Sequence, residues 1–268
     1  MRIGVLSDLH SELAPTRVRS WINRYEPEAL DARLGEALDV FERSQVDLVL
    51  LLGDLTELGD ESALDEILAR CKRRTQAPVA AVSGNHDADA FSDALGRNGT
   101  LALAEEPFIR GDVAVAALTP TRLEAGSGRF AAPVQEVGTA AEVLVLASHY
   151  PVLSQAAVLS EAGLPYPRDL VNRAELEAHL IGAGTPTVVV SGHIHARCAE
   201  ARGPLLQLTV GALIEPPFEC TVIEVDNGRE GPVVRRSAHR LGPVAAVDPV
   251  FTPESECWRW GITWSRSS

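Results

Sequence analysis

The sequence has no surplus of basic residues: 24 Lys and Arg stand against 37 Asp and Glu, a formal net charge of −13. Sequence-independent binding of a nucleic-acid backbone needs many Lys and Arg contacts, so no nucleic-acid polymer is expected as a partner and a small substrate is. Bound divalent cations would still place positive charge where a phosphate needs it. There is no apolar run of about 18 residues or more, so no membrane partner is expected. No charged-then-apolar leader precedes the first strand-like run, Ile3 to Leu6, which predicts a cytoplasmic protein. Cysteine is sparse: Cys71, Cys198, Cys220 and Cys257 lie far apart without a CxxC pair, which excludes a disulfide scaffold and predicts reduced thiols. Cys198 is near His195 but is read as a packing residue, as free Cys commonly is. No internal repeat or low-complexity tract interrupts the 268 residues, and a hydrophobic content of 46% suffices for one large core.

Short Val- and Leu-rich runs recur along the chain: Ile3 to Ser7, Val46 to Leu52, Val79 to Ser83, Val113 to Leu118, Val143 to Ala147, Val188 to Ser191, Leu205 to Val210 and Thr221 to Val225. Several are apolar throughout, which suits central strands covered on both faces. Between them, Ala29, Leu30, Leu34, Leu38 and Phe41 recur at helical spacing, as do Leu64, Ile67 and Leu68 after Asp60. A third helix is predicted over Arg173 to Ile181, with Asn172 as its N-cap. This alternation implies a layered α/β fold with parallel pairing. The runs Leu205 to Val210, Thr221 to Val225 and Val233 to Arg240 leave no room for helices and predict an antiparallel meander. A main domain over residues 1–241 is expected, followed by a tail over 242–268 whose Trp258, Trp260 and Trp264 dock on the same body.

Polar clusters follow the apolar runs directly: Asp8 with His10, Asp54, Asn85 with His86, His149, and His193 with His195. Any one of them alone reads as an ordinary strand end entering solvent. Together they hold five of the seven histidines, while His179 and His239 have no such neighbours and read as structural. In an open α/β sheet the carboxyl ends of strands form the ligand crevice, so these segments can deliver their side chains to one place. Carboxylate, carboxamide and imidazole donors suit Mn, Fe, Co or Zn better than a thiolate site or an all-oxygen cage does. Gly53, Gly84 and Gly192 before the clusters permit the sharp exits required.

The series DLH at 8–10, GDLTE at 53–57, GNHD at 84–87, SHYP at 148–151 and GHIH at 192–195 resembles the calcineurin-like metallophosphoesterases in order and spacing. That resemblance implies a four-layer α-β-β-α sandwich with two mixed β-sheets. It implies two divalent metal ions, one on Asp8, His10, Asp54 and His195, the other on Asp54, Asn85, His149 and His193. It further implies in-line attack of a metal-bridging hydroxide on a phosphoester, with His86 donating a proton to the leaving group and Asp87 fixing the tautomer of His86 and raising its pKa. Where relatives often carry Asp three residues after the bridging Asp, this chain has Glu57, expected to support a ligand or a helix start. Without large insertions the chain is similar to the compact branch that includes class III cyclic-nucleotide phosphodiesterases and glycerophosphodiesterases. A small phosphodiester is therefore the expected substrate, with a phosphomonoester, or a non-catalytic metal-binding scaffold, as alternatives. Substrate contacts are unassigned, with Glu12, Arg17, Arg19, Trp21, Tyr25, Arg122, Arg129, Tyr166 and Arg168 in the loops that could supply them, and the oligomeric state is left open.

Overall fold

A computed structural model describes residues 1–11, 19–87, 91–123, 126–130, 141–167 and 169–267, the side chain of Arg122 excepted. In chain order the elements are β1 (Arg2–Leu6), α1 (Leu30–Ser44), β2 (Leu48–Leu52), α2 (Glu61–Arg74), β3 (Val79–Val82), α3 (Phe91–Asn98), β4 (Phe108–Arg110) and β5 (Val113–Leu118). There follow β6 (Thr121–Arg122), β7 (Gly128–Arg129), β8 (Val143–Ser148), α4 (Ala156–Glu161), α5 (Arg173–Ala183) and β9 (Thr187–Ser191). The chain continues through β10 (Cys198–Arg202), β11 (Leu205–Thr209), β12 (Glu219–Gly228), β13 (Gly231–Arg240), β14 (Ser255–Trp260) and β15 (Trp264–Ser267).

Two mixed sheets form, in the orders β15-β14-β13-β12-β1-β2-β3 and β10-β11-β9-β8-β5-β4. β1, β2 and β3 run parallel, as do β5, β8, β9 and β11. Ile3, Val5, Leu48, Leu50 and Leu52 of one sheet meet Val143, Val145, Val188 and Val190 of the other in a shared buried cluster. The alternate residues, such as Val49 and Leu51, face Leu34, Leu38 and Phe41 of α1 and Leu64 and Leu68 of α2. On the far side, Leu146 and Val189 pack against Leu176 and Leu180 of α5. The apolar strands are therefore buried on both faces, and helix, sheet, sheet and helix stack as four layers. Truncating one such core residue, Leu50→Ala, costs roughly 2–5 kcal/mol by transfer and cavity terms together.

The helices begin where local chemistry allows. Asp60 caps α2 by accepting the Ala63 amide at 2.9 Å, and Lys72, Arg73 and Arg74 close it against the negative end of its dipole. Asn172 does not cap α5 as expected: its amide pairs with the backbone N–H and C=O of Phe130, at 3.1 and 3.0 Å, tying that loop down.

The expected meander is also corrected. β11 lies in the other sheet, parallel to β9 and paired with the short, mixed-polarity β10, while β12 and β13 pair antiparallel beside β1. Residues 210–218 cross from one sheet to the other, and their side chains are almost all apolar and buried, a pattern that resembles a continuing strand in sequence. The Trp-bearing tail adds β14 and β15 to the sheet edge, so residues 241 and 242 fall within the segment joining two strands of one sheet. Among the described residues no helix is long and apolar enough to cross a membrane.

Candidate metal centre

The carboxyl ends of β1, β2 and β3 in one sheet and of β8 and β9 in the other open onto a common edge. Asp8 and His10 follow β1, Asp54 follows β2, Asn85 and His86 follow β3, His149 follows β8, and His193 and His195 follow β9. The structure brings all of them together. Ligand atoms of Asp8, His10 and His195 lie within 4.8 Å of one another, and so do those of Asp54, His149 and His193. Asp54 stands between the two groups, its Oδ2 3.7 Å from His10 Nε2 and 3.3 Å from His149 Nε2. Asn85 Oδ1 lies 3.1 Å from His149 Nε2, which is itself 3.1 Å from His193 Nδ1.

The protonation pattern tests whether a cation fits. His10 Nδ1 lies 2.7 Å from Glu57 Oε2, His195 Nδ1 lies 2.8 Å from Glu215 Oε1, and His149 Nδ1 lies 2.8 Å from the Leu52 carbonyl oxygen. Each partner is an acceptor, so each Nδ1 carries a proton and each Nε2 is the nitrogen turned inward, where it can take up either a proton or a metal. His10 Nε2 and His195 Nε2 then face each other at 3.4 Å, with Asp8 Oδ1 3.4 Å from the latter. Buried acceptors aimed at acceptors are unfavourable unless positive charge lies among them, and these donors suit a borderline divalent ion.

Titration follows the same logic. Burial opposes charging His149, but the Asp54 carboxylate outweighs it and pushes the pKa up to about 9. Burial likewise opposes ionisation of Asp8, yet His195 beside it brings the carboxyl down to about 2. Protons are drawn to histidine positions that a metal would otherwise occupy.

The backbone is bent to make this geometry. Asp8, His10, Asp54, His193 and His195 all have φ between 44° and 68°, the left-handed region. At φ 86° Gly53 allows the close approach of the β2 and β3 exits, since a Cβ there would lie 2.6 Å from the Gly84 amide. Strain gathered at one edge is what a built site shows.

His86 sits at the rim with its side chain 32% exposed, and its reach also overlaps that of His10 and Asp54. Its expected partner is corrected: Asp87 accepts from the Thr56 amide at 2.9 Å, the Thr56 hydroxyl at 3.0 Å and the Gly84 amide at 2.8 Å, which fastens the turn. His86 Nδ1 instead faces the Glu57 carbonyl oxygen at 3.1 Å, and burial holds the ring's pKa below 6.5. Glu57 supports His10 and pairs with Arg19; the start of α2 belongs to Asp60.

Sequence reasoning missed Glu215, the buried support of His195. Its signal was faint, since the expected strand Leu205 to Val210 stops five residues before it, and assigning that strand to an antiparallel meander pointed the chain away from the site. Asn23 was missed too. Its amide N–H donates to Glu215 Oε2 at 2.7 Å, and its side chain pairs with the backbone of Val247, at 2.8 and 2.9 Å, fastening the loop before α1 to the segment before β14.

Trp21, Tyr25 and Tyr166 wall the cleft of about 380 Å³ above the ligands, with Gly126 and Pro167. Tyr25 stacks near His195, ring centroids 5.7 Å apart. Arg129 is exposed and does not line the cleft. Glu12, Arg17, Arg168 and the Arg122 side chain lie outside the described residues. Cys198 is buried among Leu159, Ile194 and Ala196, its thiol pushed up to about 12 by burial.

The sequence model of the calcineurin-like phosphoesterase family matches residues 1–197, a span that contains all seven expected ligands. Comparison with curated protein sequences returned no match. Among solved structures, the chain is similar to a dimetal phosphatase from Danio rerio, with a TM-score of 0.65 at 14% identity over 93% of this chain and 99% of that one. It is also similar to a protein of Thermus thermophilus, with a TM-score of 0.55 at 14% identity over 83% of this chain and 93% of that one. A third likeness is to the anchor in the inner membrane complex of Plasmodium, with a TM-score of 0.51 at 11% identity over 93% of this chain and 90% of that one. At such identities these likenesses show a shared fold, while the family match covers nearly three quarters of the sequence. The chain belongs to the calcineurin-like phosphoesterase family, whose members typically bind two divalent metal ions, and its own His and Asp donors form candidate ligand groups.

Proposed function

We propose that the protein hydrolyses a small phosphodiester in the cytoplasm. One ion would be held by Asp8, His10, Asp54 and His195, the other by Asp54, Asn85, His149 and His193. The observation that carries this is the position of Asp54 Oδ2, within 3.7 Å of one histidine group and 3.3 Å of the other, beneath an open cleft. When bound, two such ions supply Lewis acidity to the phosphoryl group and to an attacking water.

The chain's own groups do the rest. With His86 Nδ1 fixed on the Glu57 carbonyl, Nε2 is the nitrogen that can hand a proton to the departing alkoxide. Burial disfavours the charged ring, so the imidazolium that carries a proton on Nε2 is a stronger acid but a smaller fraction of His86 at neutral pH. Trp21, Tyr25 and Tyr166 line the cleft and offer surfaces for a neutral ester arm, which supports a diester over a monoester. Four free cysteines, three of them buried, are compatible with a reducing compartment.

The test is kcat/KM of the Mn-loaded protein on bis(4-nitrophenyl) phosphate against 4-nitrophenyl phosphate. A higher value on the diester is expected. The reverse would favour the monoester reading, in keeping with the description of the Danio rerio relative as a phosphatase. Two bound metals with no turnover of either would favour a non-catalytic scaffold. Asp54→Ala is expected to lose metal from both groups, and full double occupancy in that variant would sink the bridging role.

A further inference from the structure

Away from the metal centre, a groove of about 760 Å³ lies on the outer face of the longer sheet. Strands β12 to β15 form its floor, and Arg43 and Ser44 at the end of α1 form one wall. Arg2 opens β1 while Asp8 follows its end, so the groove and the metal centre share no residue and no strand end.

Four arginines, Arg2, Arg43, Arg235 and Arg266, line the groove against two carboxylates, Glu224 and Glu256. Each carboxylate is already divided. Glu224 is shared by Arg2 at 3.1 Å and Arg235 at 3.4 Å, and Glu256 by Arg266 at 3.0 Å and the buried Arg236. Arg43 makes no ion pair within the described residues. An ordinary solvated sheet face carries interspersed, matched charges; this one has a positive surplus in a chain whose net charge is −13.

Hydrogen-bond donors accompany the charge. The hydroxyls of Ser237 and Ser255 and the imidazole of His239 line the same groove and make no hydrogen bond within the described residues. Partial burial, aided by the neighbouring Arg43 charge, holds the His239 pKa below 6.5, so at neutral pH it adds a donor without adding charge.

We propose that this groove binds a small, soluble polyanion carrying two or more phosphate or carboxylate groups. Guanidinium forks recognise such groups bidentately, and the serines and His239 supply further donors to their remaining oxygens. The cavity falls in the size range of small-molecule sites. A membrane surface or a nucleic-acid chain would approach over a much wider area, where the net charge of −13 repels it; a small ligand meets only the groove.

The test is calorimetric titration of the full chain with fructose 1,6-bisphosphate, after the metal ions have been stripped and the chelator, itself a polycarboxylate, has been removed by gel filtration, so that neither a metal-bound anion site nor the chelator competes. Saturable binding of one equivalent is expected. The doubly substituted Arg43→Ala, Arg235→Ala variant should bind about tenfold more weakly or worse, whereas Arg73→Ala, Arg74→Ala on α2 should bind as the unmodified chain does. All four arginines lie at the surface, and unchanged melting temperatures would show that the variants fold. No saturable binding, or binding that the Arg43 and Arg235 substitutions leave intact, would overturn the proposal.

Discussion

Glu215 holds His195 from behind: its Oε1 lies 2.8 Å from Nδ1, and both side chains are buried. The contact orients the ring so that Nε2 faces Asp8 and His10, and it raises the basicity of that nitrogen. Glu215→Ala should weaken metal binding at the Asp8, His10 and His195 group by about 10- to 100-fold and leave the His149 and His193 group loaded. Metal content after dialysis against limiting Mn would read about one ion instead of two; two tightly held ions would show that His195 needs no support.

His86 raises a separate question, because its reach overlaps that of His10 and Asp54. If it is the proton donor, His86→Ala keeps both metals and slows turnover by roughly 10²- to 10⁴-fold. Elemental analysis beside a kinetic assay distinguishes the roles, since loss of an ion together with activity would make His86 a ligand.

Chelation should destabilise the fold. Removing ions leaves His10 Nε2 and His195 Nε2 opposed at 3.4 Å beside the Asp8 and Asp54 carboxylates, with only protons to replace the lost positive charge. An ion present at about 100 times its dissociation constant adds about 2.7 kcal/mol, which for a chain of this size corresponds to roughly 5–10 °C in Tm. A melting curve with and without chelator checks this, and coincident curves would count against metal binding in the folded state.

The buried thiols give a pH dependence. Burial pushes Cys71, Cys198 and Cys220 from the ordinary 9.0 up to about 12. Their folded pKa values lie above the unfolded one, so folding favours the protonated form. Their contribution is intact below pH 9 and is lost as the pH climbs from 9 toward 12. Urea midpoints should hold steady up to about pH 8 and then fall. In the native protein a thiol reagent at about pH 8 should label the half-buried Cys257 and spare the other three.

Much of the site was legible because its signals are local. Each ligand directly follows an apolar strand, and β1, β2, β3, β8 and β9 are parallel within their sheets, so strand ends and ligand positions coincide. Glu215 escaped because its meaning depends on pairing. The run before it is parallel to β9, a fact of sheet order that hydrophobic periodicity does not carry. Asp87 was misplaced for a similar reason. Adjacency in sequence suggested service to His86, whereas the turn geometry gives its carboxylate to the amides of Thr56 and Gly84. Asn172 is a good cap by residue type, and a tertiary demand from Phe130 overrides that preference.

The left-handed backbone at Asp8, His10, Asp54, His193 and His195 bears on the history of the chain. Glycine would take any of those five conformations more easily, by about 1 kcal/mol or more at each. Without a metal to hold, glycine or asparagine would be the more stable choice at each place, whereas most other side chains would keep or increase the strain. A lineage that had kept this fold only as a shape would be expected to carry glycine or asparagine at some of these places. This chain carries aspartate or histidine at all five, so its backbone bears a strain that a role for these side chains would offset.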